Sequence, residues 1–425
     1  MNETEFEQAT ELLKDFKGEK YAFGEGALER VGCYAAGIGK RVALISGITA
    51  RKTRILDNVV TFLESNGLDI VVTLDGAYPN SPREDVYRLA YQLSRSEWDC
   101  IVSVGGGSCL DCSKAAAVLT TYGGIIDDYF GVGKVTEKSG GKKLPLIAVQ
   151  TASSSGAHLT KYSNITDVMI HQKKLIVDDS IVPEASVFQY DLTTTMPPSL
   201  TKDGALDGVS HAWEVWMGST GAANYEKISR IAYLGIKLIV ENLSTAVRNG
   251  EDLHARKALG LGTDLGAYSI MVGGTNAGHL GSFSLVDILS HGRACAILNP
   301  YFTILFSPQI QEQLGSLADI YSQAGFGPTK MKTLSGRQLG IAVAKSMIEL
   351  SKSIEFPTTL KDAGATNQHL EKMLKAAKDS QLKMKLQNMP IPMDVEAGDI
   401  DKLMRPTLKA AYTGDVHKVP DLTRR

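Results

Sequence analysis

Between Asp207 and His291 the chain collects one carboxylate and three imidazoles, donor types that suit a transition-metal ion. Asp207 and His211 stand four residues apart, so a helix through Leu206–Glu214 presents both side chains from one face, one turn apart. His279 and His291 come after a long apolar segment, and Gly292 after His291 marks a turn or helix start at which an imidazole faces a cleft. One Asp with three His suits Zn(II) or Fe(II), whereas an all-oxygen set would suit magnesium or calcium. The pattern alone is weak, because Asp and His recur at this spacing by chance and a lone His more often satisfies a core or surface position.

Elements that could position such a site come earlier in the chain. Arg41–Gly47, Ile70–Leu74, Cys100–Val104 and Leu144–Val149 are short apolar runs, and helical patterns over Thr53–Asn66, Ser81–Ser94 and Leu110–Leu119 separate them. An N-terminal helix is expected over Glu3–Phe16, and Lys174–Val177 and Ser186–Tyr190 read as further strands. This alternation predicts an α/β layer on a parallel, Rossmann-like sheet, which places ligands at the carboxyl ends of its strands. The third strand ends in Gly105-Gly106-Gly107-Ser108 and passes at once into a helix. Successive glycines at a helix N-terminus let a phosphate approach backbone N–H groups, so a pyrophosphate cradle is the favoured reading over a merely structural turn. The fourth strand ends in the hydroxyl-rich loop Gln150–Ala157, whose Thr151, Ala152 and Ser155 come next to the same edge.

Pro197 and Pro198 punctuate the chain, and beyond them strand signals nearly vanish. Helical patterns run over Ile228–Leu243, Leu253–Val272, Arg293–Phe306, Ile310–Ala324, Gly336–Ser353, Leu370–Lys378 and Asp399–Tyr412, the last with an expected break at Pro406. The expected organisation is a dinucleotide-binding α/β domain over residues 1–198 and an all-helical metal- and substrate-binding domain over residues 199–425. The polar tail from His417 is expected to be mobile, with Arg424 and Arg425 solvated.

A net charge of −2 gives no electrostatic case for nucleic acid or an anionic membrane. Neither a signal peptide nor a membrane-spanning run is recognisable, so the cytoplasm is the expected location. The five cysteines are scattered and odd in number, which argues against a disulfide framework. Cys109 and Cys112 form a C-x-x-C, read more simply as small apolar residues on a helix than as a redox or zinc pair.

Taken in order, these motifs resemble those of the iron-containing (group III) alcohol dehydrogenases, over nearly the whole chain from about Phe23. Asp99 to Lys114 is similar to that family's D-x-I-x-x-x-G-G-G-S-x-x-D-x-x-K block, with Asp111 and Lys114 in its last two positions. Gln150–Thr160 is similar to the P-T-T-x-G-T-G-S-E-x-T loop, and Ile165-Thr166-Asp167 and Lys174 match the segment that comes after that loop. Asp207 and His211 match the D-A-x-x-H metal motif, with Gly208 where Ala is common. The resemblance implies a dehydroquinate-synthase-like fold and a homodimer. It also implies iron or zinc on Asp207, His211, His279 and His291, and a nicotinamide dinucleotide near Gly47, Gly105, Gly106, Gly107, Ser108, Asp111, Thr151, Ala152, Ser155 and Lys174.

The departures bear on mechanism. Phe283 stands where relatives carry a second imidazole one turn after the third ligand, Val286 replaces a Gly, and the segment before His291 is about two residues shorter than motif spacing suggests. The pocket thus gains an apolar wall and loses a relay, leaving ribose hydroxyls, water or His158 to carry the proton. His158 replaces an acidic residue and reads equally as substitute acid, pocket lining or surface residue. Gly47 lacks the carboxylate that NAD-using relatives often place there, and with Arg51 and Lys52 nearby this favours NADP over NAD.

The implied activity is reversible hydride transfer between an alcohol or aldehyde and NAD(P), with the substrate oxygen on the metal. One rival is another activity on this fold, either a polyol or glycerol-phosphate dehydrogenase or a lyase. Few basic residues lie between Asp207 and Gly292, mostly on expected outer faces, which argues against a phosphate-bearing substrate. A non-catalytic nucleotide- or metal-binding regulator is the rival of a different class.

Overall fold

The computed structural model describes residues 3–328 and 331–424. Within them the chain forms two compact units: Glu11–Met196, and the chain from Pro197 onward together with the described residues up to Thr10. The first residues join the helical unit because Phe6 packs on the His254 ring, centroids 4.9 Å apart, while Glu5 pairs with Lys237 at 3.0 Å.

The strands of the α/β unit are β1 Tyr21–Phe23, β2 Arg41–Ser46, β3 Asp69–Asp75, β4 Cys100–Gly105, β5 Gly131–Val132, β6 Leu146–Gln150, β7 Tyr162–Asp167, β8 Gln172–Val177 and β9 Ala185–Phe188. Six of them form an all-parallel sheet in the order β1-β9-β6-β4-β2-β3. Strands β4, β6 and β9 are buried along their whole length, as apolar runs covered on both faces require. Edge strand β3 instead alternates, with only Leu74 buried. β5, β8 and β7 form a second sheet, whose β7–β8 pair is antiparallel. The polar sequence of β7 and the brevity of β1 concealed both from a reading by hydrophobic periodicity.

The order of the large sheet places the nucleotide candidates. From β2 the chain moves outward to β3, and from β4 it moves the opposite way to β6, so a crevice opens between the carboxyl ends of β2 and β4. Gly47 donates its backbone N–H to Val104 O at 2.8 Å, and Thr151 donates to Gly105 O at 3.1 Å. Gly47, the glycine turn and the hydroxyl-rich loop therefore share one edge.

In the helical unit, the helix Pro198–Gly218 packs against Tyr225–Arg248 and Leu253–Val272. Gly208 explains how closely: a Cβ there would meet Thr263 Cγ2 at 2.9 Å and Ile239 Cδ1 at 3.0 Å, so the Ala common in relatives would force these helices apart.

The interruption expected at Pro406 takes the form of a π turn over Ile400–Met404, which runs directly into an α-helix from Arg405. Two expectations are corrected here. The tail is held down, because Val419 and Leu422 are buried and Arg337 donates to the Val419 and Pro420 carbonyls at 2.6 and 2.9 Å. Arg425 and the side chain of Arg424 lie outside the described residues. Finally, Arg256 is no outer-face residue: it is buried, donating to Gly250 O at 2.7 Å and Thr201 Oγ1 at 2.9 Å.

Candidate active site

Asp207 and His211 project from the middle of the helix Pro198–Gly218, His279 from the short helix Ala277–Ser282, and His291 begins the helix His291–Phe306. The structure brings one donor atom of each to within 4.8 Å of all the others. His211 and His279 stack with centroids 4.7 Å apart, and His279 meets His291 edge-on at 4.9 Å. Nε2 of both His211 and His279 stands 3.9 Å from Asp207 Oδ1, too far for a hydrogen bond and suited to two donors flanking one ion. Two glycines make this approach possible. A Cβ on Gly292 would lie 2.3 Å from Asp203 O and 2.7 Å from Asp207 Cβ, and one on Gly278 would lie 2.5 Å from Glu214 Oε1.

Two further side chains orient the imidazoles, and neither was singled out in the sequence. Glu214, one turn beyond His211, is fully buried with Oε1 2.8 Å from His279 Nδ1, while Oε2 accepts the Asn276 N–H at 2.7 Å. A carboxylate is an acceptor only, so Nδ1 carries the proton and Nε2 presents its lone pair to the cluster. The Ser282 hydroxyl donates to His279 O at 2.7 Å, so at His291 Nδ1, 2.9 Å away, it must accept, which fixes His291 in the same tautomer. An acidic residue three positions after a candidate ligand His is a signal that the sequence offered for Glu214.

The electrostatics agree with a site built for a cation. Burial, reinforced by His279 and Lys385, holds the His211 imidazole well below its ordinary value, in the neutral form that can donate a lone pair. Burial pushes Glu214 up, but His279 and the Asn276 N–H outweigh it and keep the carboxyl below its usual range. His279 Nε2 is buried and makes no hydrogen bond among the described residues. An orphaned lone pair of this kind, facing a carboxylate and two more imidazoles, fits a divalent ion. We expect Gly292→Ala to push the helix His291–Phe306 away from Asp203 and Asp207. It should lower the melting temperature and the bound metal together, readable by calorimetry and elemental analysis.

Phe283 is 2 % exposed and stacks on His291, centroids 5.7 Å apart, so an apolar ring does border the cluster. His158 lies in the α/β unit, 1 % exposed, packed between Tyr21 and Phe188 with Nε2 3.2 Å from the Tyr21 hydroxyl. Its burial removes the surface alternative.

At the glycine turn, Gly106 precedes a helix over Gly107–Tyr122 that has no side-chain cap and no acidic residue in its first turn. Its first N–H groups and dipole are thus available to an anion. A Cβ on Gly107 would lie 2.3 Å from Ser155 Oγ, so that glycine sets the spacing between turn and loop. The buried hydroxyls of Ser153 and Ser155 have no hydrogen-bond partner among the described residues, which fits a ligand supplying one.

Other candidates here are committed to the fold. Ser108 Oγ accepts from Asn80 N at 3.1 Å, and Asp111 Oδ2 accepts from Asn164 N at 3.1 Å. Lys174 is engaged by Asp127 at 3.1 Å. Cys109 and Cys112 are free and buried, as small helix residues. Arg51 is ion-paired with Asp75 at the end of β3, and Asp75 is a carboxylate near Gly47 that only the sheet order reveals.

A helical unit with a buried cluster of three imidazoles and one carboxylate, and an α/β unit with a glycine turn at its switch point, are the features that a metal-dependent, nucleotide-linked oxidoreductase requires. Comparison with known proteins narrows the class. The pattern of the family described as Iron-containing alcohol dehydrogenase matches residues 18–190, and that of the Fe-containing alcohol dehydrogenase family, C-terminal, matches residues 201–405. The 1,3-propanediol dehydrogenase of Citrobacter freundii is 30% identical over 361 residues, 80% of this chain and 86% of its own. The NAD-dependent methanol dehydrogenase of Bacillus methanolicus is 26% identical over 362 residues, 83% of this chain and 90% of its own. A solved structure of an alcohol dehydrogenase from Oenococcus oeni superposes with a TM-score of 0.79 at 26% identity, covering 93% of this chain and 98% of that one. The chain belongs to the iron-containing alcohol dehydrogenase family, with its dehydroquinate-synthase-like fold, and is a metal-dependent alcohol dehydrogenase. Among the described residues no helix is long and apolar enough to cross a membrane.

Proposed function

We propose that Asp207, His211, His279 and His291 hold the divalent ion, iron or zinc, and that the edge formed by Gly47, Gly105–Ser108 and Thr151–Ser155 holds the nicotinamide dinucleotide. The observation that carries the metal assignment is the orphaned Nε2 of His279, aimed at Asp207 and fixed in its tautomer by Glu214. When bound, such an ion supplies Lewis acidity to an alcohol or carbonyl oxygen, which eases hydride exchange with the nicotinamide. The chain's own part is positional. Glu214 and Ser282 engage Nδ1 of two imidazoles and so turn both rings toward the cluster, the glycine turn offers N–H groups to the pyrophosphate, and Ser153 and Ser155 offer hydroxyls beside it. Phe283 excludes water from one side of the cluster and transfers no proton, so the relay of relatives is not available at that position. His158, buried among aromatic rings, suits a packing role better than that of an acid.

The NADP preference read from Gly47 is weakened by Asp75, which neutralises Arg51 and leaves Lys52 as the basic residue in reach of a 2′-phosphate. A homodimer and a cytoplasmic setting complete the reading, supported by the family resemblance and by cysteines that form no disulfide among the described residues.

The test is elemental analysis of the purified protein, joined to a panel of short aldehydes with NADH and NADPH. We expect about one equivalent of iron or zinc and turnover with either cofactor, the NADPH-to-NADH rate ratio staying within about 10-fold. Absence of both metal and turnover would overturn the assignment.

A further inference from the structure

The proposed reading leaves one buried cation of the helical unit unused. Lys385, on the short helix Lys383–Gln387, is 4 % exposed and donates to the Thr275 hydroxyl. Its ammonium stands over the Phe283 ring, 5.7 Å from the centroid, and Phe283 stacks in turn on His291. Among the described residues no carboxylate forms an ion pair with it, and Glu214 acts on it only at longer range.

Taking an ammonium out of water without a counter-ion is costly, and one neutral hydroxyl does not offset that cost. A Met or Leu would pack on Phe283 as well, so the charge has no packing purpose. What an unpaired buried cation stabilises is an anion brought from outside. The exchange of the family's imidazole for Phe283 fits the same purpose: a protonated ring would repel the ammonium, whereas an aromatic face accommodates it.

We infer that Lys385 is a specificity-determining residue, which selects substrates bearing a carboxylate near the reacting carbon, that is, oxo acids and the corresponding hydroxy acids. The inference rests on the dehydrogenase reading above and sharpens its substrate class. Lys385 lies nearly a hundred residues beyond His291, which is why the shortage of basic residues between Asp207 and Gly292 concealed it.

The test compares kcat/KM for glyoxylate and 4-oxobutanoate with that for the neutral aldehyde of the same carbon count, in the metal-loaded enzyme and in Lys385→Met. The wild type should prefer one of the acids by at least about 10-fold. In the variant the acid-to-neutral ratio should fall by about 30-fold or more, mainly through KM, as expected for loss of one partner of a buried charge pair. A ratio unchanged by the substitution would overturn the inference. So would an equal fall for acids and neutral aldehydes together with a lower melting temperature, which would make Lys385 a prop for the Thr275 loop. A second readout separates this from failure of the dehydrogenase reading: calorimetric titration of the metal-loaded protein with propanoate. Binding that the variant loses supports the role of Lys385 even without turnover, and no binding by the wild type argues against it.

Discussion

His279→Ala is expected to abolish alcohol and aldehyde turnover, by about 1,000-fold or more, while leaving the protein folded. Losing the central imidazole of the cluster removes the donor on which His211 stacks at 4.7 Å and which His291 meets edge-on at 4.9 Å. Forfeiting the several kcal/mol of charge stabilisation that an ion provides corresponds to a rate loss of that size. The fold should survive, because Glu214 still accepts the backbone N–H of Asn276 and of residue 279, at 2.7 and 3.3 Å, when the ring is gone. Metal content should fall with activity, and circular dichroism should be unchanged. Full activity in a metal-depleted variant would show that the cluster is not the metal centre.

Glu214→Gln tests the orienting carboxylate without changing its shape. Glu214 receives only donors, His279 Nδ1 at one oxygen and two backbone N–H groups at the other, so an amide must turn its NH2 toward one of them. If the NH2 meets the imidazole, the ring's proton moves to Nε2 and points at the place of the ion. Metal affinity should therefore drop about 10- to 100-fold, with activity partly restored by excess metal. His279→Ala should not recover in this way. Unchanged affinity by competition with a chelator would reduce Glu214 to a packing residue.

The two predictions depend on different kinds of legibility. The ligand candidates could be read from the chain because chemistry restricts them to a few residue types and a helix imposes the four-residue spacing of Asp207 and His211. The glycine turn was readable because a strand, three glycines and a helix leave little else for that backbone to do. Glu214 was visible but unassigned, since nothing local says that its carboxylate turns toward an imidazole sixty-five residues away. Tail anchoring by Arg337 and the partnership of Arg51 with Asp75 were not readable at all, because each joins segments that only packing or strand order brings together.

By itself, then, the sequence determined the two kinds of architecture, the donor types of the metal candidates, the glycine turn and the family, all of which rest on local periodicity or on ordered motifs. Only the tertiary structure decided which nitrogen of His279 faces the cluster, that His158 is buried among aromatic rings, and that Lys385 stands over Phe283. The physical reason is the same in each case. A hydrogen-bond partner, a burial state and a counter-ion are properties of the space around a side chain, filled by residues far away in the chain, and spacing along one segment carries no record of them.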